Sequence, residues 1–111
     1  MIVKRGDLFP DVEAIVKDEN GNVVNTTGAT ILFTMRAARN TSYRPVQAAA
    51  GVVVNGPLGK IGYNWISGDT EIAAGTYEGE FKVSGLVGGP YRVPTDGYVT
   101  IVVEERLSTS A

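Results

Sequence analysis

The sequence predicts an all-β protein. Apolar residues recur at every second position, turn residues interrupt those runs at short intervals, and no stretch carries the 3.6-residue period of a helix. Short strands of this kind, regularly separated by turns, read as a sandwich or a barrel of roughly seven to eight strands.

The strands are expected near 2–5, 11–17, 22–25, 29–36, 46–54, 59–66, 75–84 and 97–104. The alternation is clearest in four of them. In ATILFTMR (29–36), Ile31, Phe33 and Met35 share one side. In KIGYNWI (60–66), Ile61, Tyr63 and Trp65 do the same. In TYEGEFKVS (76–84), Tyr77, Phe81 and Val83 lie opposite Glu78, Glu80 and Lys82. In YVTIVVEE (98–105), Val99, Ile101 and Val103 alternate with Tyr98, Thr100 and Val102. Such patterning marks strands with one face buried and the other wet. Between them fall DENGN (18–22), NTTGA (25–29), NGPLG (55–59), SGD (67–69), GLVGGP (85–90) and PTDG (94–97). Asn20-Gly21 is the pair that favours a type I′ hairpin turn. Residues 37–57 read as a long exposed loop leading to an edge strand, and LSTSA (107–111) as a loose tail after a single domain spanning 1–106.

AAGTYEGEF (73–81) refines the fold. A small residue, a spacer and a tyrosine opening a strand resemble the penultimate strand of an immunoglobulin-like domain, where the hydroxyl pins a corner by bonding to nearby backbone. In antibody domains a cysteine follows two positions later. Here that position is Gly79, and the chain has no cysteine. The expectation is an immunoglobulin-like antiparallel β-sandwich without a disulfide. Tyr77 makes the corner, Asp69 and Gly75 shape its loop, Phe33 and Phe81 fill the core, and Trp65 packs between the sheets. Gly79 leaves room for Trp65 or for a sheet contact.

Composition narrows the chemistry. With 111 residues the chain fits one domain, of a size that buries about two-thirds of its unfolded surface. Ten basic and twelve acidic residues leave a formal charge of -2, and the basic residues are scattered, which argues against nucleic acid as partner. No apolar run approaches the ~20 residues of a membrane span. MIVKRGDLFP has no apolar signal-peptide core, so assembly in a reducing cytoplasm is expected. Without histidine or cysteine, triads of the Ser/His or Cys/His type and thiolate zinc sites are excluded. An enzyme would have to work with carboxylates alone. Glu78 and Glu80 point the same way from one strand, as an acid/base or calcium pair would, but a solvated strand face accounts for them. Asp18, Asn20 and Asn22 alternate like calcium ligands, yet Gly21 stands fourth and Ala29 twelfth, where an EF-hand needs Gly sixth and Glu twelfth. GLVGGP lacks the Lys-Ser/Thr pair of a phosphate loop. Tyr63, Trp65, Tyr77 and Tyr98 could form a sugar-stacking platform, but Tyr63 and Trp65 run in phase with Ile61 and belong to the core. Tyr43 and Tyr91, in loops, are the aromatic residues placed to meet a glycan. No catalytic residue, cofactor or metal is expected.

Three segments together resemble the N-terminal domain family of phage baseplate upper proteins. VKRGDLFPDVEAIVKDENGNVVNTTGATILFTMR (3–36) resembles its start, GKIGYNWISGDTEIAAGTYEGEFKV (59–83) its middle, and TDGYVTIVV (95–103) its closing strand. The resemblance implies an immunoglobulin-like structural module of a tailed-phage virion. Such a module docks in multiple symmetric copies onto tail, baseplate, neck or capsid proteins. Candidate contacts are the first strand, Ile2, Val3, Lys4 and Arg5, and the loop bearing Arg39, Tyr43 and Arg44.

Overall fold

The computed structural model describes residues 1–94 and 97–107. The middle of the 94–97 turn and nearly all of the expected tail, residues 108–111, lie outside them. Among the described residues there are nine strands and no helix. They are β1 (Ile2–Lys4), β2 (Val12–Ile15), β3 (Thr30–Ala37), β4 (Val46–Ala50), β5 (Val52–Asn55), β6 (Lys60–Tyr63), β7 (Gly75–Ser84), β8 (Tyr91–Val93) and β9 (Val99–Glu104).

The strands form a two-sheet β-sandwich. The larger sheet runs β1-β9-β7-β3-β4, with β8 also paired to β7, and the smaller runs β2-β6-β5. Every pairing is antiparallel except β1 on β9, which is parallel. The inward residues of both sheets meet in one core. Ile31, Phe33, Met35, Phe81, Val83, Ile101 and Val103 come from the larger sheet and Val12, Ile61 and Tyr63 from the smaller. These are the residues that the period of two assigns to the inner face.

Four expectations change. The run at 46–54 is two strands in different sheets. The chain crosses between sheets at Gly51, whose N–H donates to the Ile31 carbonyl at 2.8 Å. A Cβ there would lie 2.7 Å from Ile31 Cγ2 and 2.8 Å from the Gly62 carbonyl oxygen. Only glycine fits so close a passage of backbones. The strand expected at 22–25 reduces to one bridge, Lys17 to Val23. Its turn is not type I′, since Gly21 has φ 81° while Asn20 keeps a negative φ. Gly21 N–H closes on the Asp18 carbonyl at 3.0 Å and Asp18 N–H on that of Asn22 at 2.9 Å. That is a three-residue loop with its αL residue last.

β8 was not expected. Phe81 pairs with Val93, while Gly79 pairs with Val99. β3 occupies the other side of β7 along its length, so β8 and β9 lie along the same side of β7. Finally, β6 stops at Tyr63, two residues before Trp65. The indole remains buried because its ring N–H reaches back to the Pro10 carbonyl at 2.8 Å.

Candidate docking surface

The interior decides what the surface is free to do. Phe33 occupies its centre, stacked on Tyr63 at 4.9 Å, tilted against Phe81 at 4.9 Å and edge-on to Trp65 at 6.3 Å. Gly79 lies beneath this ring. A Cβ there would sit 2.8 Å from two atoms of Phe33 and 3.1 Å from Ile101 Cδ1. The glycine standing at the cysteine position therefore makes room for Phe33 and Ile101 of the neighbouring strands; of the two expected uses, Trp65 or a sheet contact, it does not serve Trp65. Contact distance settles this: the close neighbours of that missing Cβ belong to the aromatic ring of β3 and to Ile101 of β9.

Two tyrosines pin the loop between β6 and β7. Tyr77 donates its hydroxyl to the Ala73 carbonyl at 2.7 Å, closing the corner. Asp69 does not take part in this corner. Its Oδ2 accepts from the Tyr63 hydroxyl and from the Ile66 N–H at 2.9 Å, so it ties the 66–69 turn to the core. Burial raises the pKa of both tyrosines above the ordinary 10.0, helped at Tyr63 by the bond to Asp69 and at Tyr77 by Tyr43. Gly75 opens β7 with φ 151°, a conformation that side chains rarely adopt.

The corner end also gathers most of the surface residues singled out in the sequence. Val103 is the register partner of both Val3 and Gly75, so the end of β1 and the start of β7 lie together. Lys4 pairs with Glu104 at 2.8 Å, and Arg5 lies 3.8 Å from Glu71 and 3.4 Å from Glu105. Arg106 joins the group through Glu71 and the Arg5 carbonyl, both at 3.2 Å. Across this end, Ala38 N–H bonds to the Thr76 carbonyl and Tyr43 packs edge-on against Tyr77 at 6.5 Å. An open groove of about 430 Å³ runs between Arg39, Gly75 and Tyr77.

Two of the expected contact residues lie elsewhere. Val3 is 1% exposed and faces the core, so β1 offers Ile2 and Lys4, followed by Arg5, but not Val3. Arg44 leaves the corner end and lines a shallow groove on the outer face of the larger sheet, with Thr34, Arg36, Glu78, Glu80 and Tyr98. On that face Arg36 bonds to Glu78 at 3.0 Å and stacks over the Tyr98 ring at 4.5 Å, and its pKa is raised chiefly by the Glu78 bond. Arg92 lies 3.7 Å from Glu80. Both carboxylates of the Glu78/Glu80 pair thus have cationic neighbours, the arrangement of a solvated strand face. The Tyr98 contact was missed, since Tyr98 and Arg36 are far apart in sequence. Asp18 Oδ1 accepts from the N–H groups of Asn20 and Asn22, both at 2.9 Å, so this carboxylate is already used by its own turn. Tyr91 belongs to β8 rather than to a loop and is half-buried.

No protein-family model and no curated protein matches the sequence.

Proposed function

We propose that the protein is a non-enzymatic structural component of a tailed-phage virion, an immunoglobulin-like module that docks onto tail, baseplate or neck. The observation that carries this reading is the strand order. Lettered as in an immunoglobulin sandwich, β2 to β7 become B, C, C′, D, E and F, with β8 and β9 together as a broken G. The two sheets then read β1-G-F-C-C′ and B-E-D, which supports an immunoglobulin-like order, with the corner tyrosine near the start of F. The three segments resembling the baseplate upper protein domain fall on β1 to β3, on β6 and β7, and on β9, so the resemblance and the topology support one another.

Docking falls to the corner end, where Arg39 lines the open groove, Tyr43 packs against Tyr77 of that groove, and Ile2, Lys4 and Arg5 lie on the neighbouring edge of the sheet. Contact there is made by shape and by charges already held in place, repeated by the symmetry of the particle. Exposure of Tyr43 beside that groove also favours a second reading, recognition of a host glycan, which a glycan array would reveal.

Mass spectrometry of separated heads and tails from purified particles tests the main reading. Recovery with tails at a few to tens of copies is expected. Recovery with heads at hundreds of copies would make the protein a capsid decoration instead, and absence from both would end the structural reading.

A further inference from the structure

Among the described residues the sheets end at β1, β4, β2 and β5, with the three-residue β8 a further edge beside β7, and these edges are not equally guarded. β4 carries a bulge between its partners of Phe33 and Met35. Ala48 there has φ 48° and turns its N–H back to Thr34 Oγ1 at 3.0 Å. β5 carries a bulge between Val53 and Asn55. β1 is only three residues long, with Lys4 and neighbouring Arg5 held in ion pairs. Bulges, short length and charge are the usual means of blunting an edge. β2 has a regular register with β6 along its whole length, and among the described residues nothing pairs with its outer side. An open groove of about 290 Å³ runs beside it, between Ala14 and Ile15 on one bank and Val93, Pro94 and Val99 on the other.

The direction of its backbone groups follows from two bonds. Val16 N–H donates to the Gly59 carbonyl at 2.9 Å, and the Val16 carbonyl accepts from Val24 N–H at 3.0 Å. Even-numbered residues therefore turn their amides inward, and Glu13, Ile15 and Lys17 turn theirs outward. The side chains of these same three residues are exposed, Ile15 at 41%.

We propose that β2 is a self-association edge, which pairs antiparallel with β2 of a second copy about a two-fold axis at Ile15. The sequence EAIVK fits this register. Ile15 faces Ile15 of the second copy, Glu13 faces its Lys17, and Lys17 faces its Glu13. Centring the axis on Glu13 would oppose two carboxylates, centring it on Lys17 two ammonium groups, and centring it on Ala14 would set each carboxylate against an isoleucine. Glu13 already lies 3.3 Å from Lys60 on the same face. Pairing extends this into a Lys60–Glu13–Lys17 row across the joint, with opposite charges adjacent throughout. The two small sheets then become one continuous six-stranded sheet, an isologous interface of the kind that closes as a dimer. Edge pairing alone buries little area, so the dimer is weak in solution and is favoured where copies are held side by side. The inference does not depend on a location in a virion.

Cysteine scanning and charge exchange test it on the intact chain, which has no native cysteine. A hydrogen-bonded antiparallel pair sets its Cα atoms about 5.5 Å apart, within the range of a disulfide. Ile15→Cys should oxidise to a covalent dimer several-fold faster than Val52→Cys on the β5 edge. By sedimentation up to about 1 mM protein, Glu13→Lys and Lys17→Glu should each be monomeric, and an equimolar mixture of the two should restore the dimer. A wild-type chain still monomeric at that concentration, equal oxidation of the two cysteine variants, or variants that dimerise as the wild type does would each overturn the proposal.

Discussion

Strands β3 and β7 have two faces that are built on different principles. Inward, Phe33, Phe81 and Gly79 interlock by shape, and the absence of one Cβ decides where a whole ring can lie. Outward, Arg36, Glu78, Glu80, Arg92 and Tyr98 form local pairs that largely neutralise each other. The inner face makes the strands inseparable. The outer face, though exposed and charged, has already used most of its charge on itself. Exposure and charge do not by themselves make a docking surface. Free valence lies instead at the edges and at the corner end, where among the described residues the outer side of β2 meets no partner strand and Arg39 lines an open groove.

Changes to the two faces should differ greatly in size. Phe33→Ala empties the centre of the core and should cost about 3–5 kcal/mol. Gly79→Ala drives a methyl into the Phe33 ring and should cost about 1–3 kcal/mol. Combining Gly79→Ala with Phe33→Leu should cost less than the sum of the two single changes, because the contact they share is relieved. Denaturant unfolding of all three variants measures this coupling, and simple additivity would break the claim that the glycine serves the ring.

Tyr77→Phe removes the corner bond and leaves the Ala73 carbonyl without it, at about 1 kcal/mol. The two buried tyrosines also set a pH limit. Their folded pKa values lie above the ordinary 10.0. The stability they add is fully present below pH 10 and is lost as pH rises through the folded values. Thermal unfolding between neutral and strongly alkaline pH should show this fall, and Tyr63→Phe should make it shallower. A stability profile in Tyr63→Phe as steep as the wild type's would contradict the assignment.

At the β4 edge, Ala48→Gly relieves a left-handed conformation and should stabilise by about 0.5 kcal/mol, net of the greater freedom of glycine in the unfolded chain. The smallest effect belongs to the outer face. Arg36→Met should shift the midpoint temperature less than any interior change, and the shift should fade with added salt.

Much of this was legible in the sequence. The period of two placed Ile31, Phe33, Met35, Ile61, Tyr63, Phe81, Val83 and Ile101 on inner faces, since alternation is a local property. What it could not convey was pairing at a distance. The split of 46–54 depends on Ile31 and Gly62 pressing on Gly51, and β8 is a strand because β7 extends far enough to hold it. Gly79 is expected to leave room for Trp65 or for a sheet contact; its register partner on β3 is Met35, and the ring that lies over it is that of Phe33, two residues along the same face. The candidate contact residues were only partly legible. Lys4 and Arg5 reach Glu104, Glu71 and Glu105 because β1 runs parallel to β9, a pairing that nothing in the first five residues announces. The open edge of β2 went unseen because only its contrast with the bulged edges of β4 and β5 marks it.

On the proposed reading the sandwich docks through its edges and its corner end, and its charged outer face takes no part. Backbone hydrogen exchange, compared between the free protein and purified tails that carry it, checks this. New protection is expected at residues 2–5, 38–45 and 13–17, with exchange around Arg36, Glu78 and Glu80 unchanged. Protection confined to that outer face, with the edges and corner end exchanging as in the free protein, would contradict it.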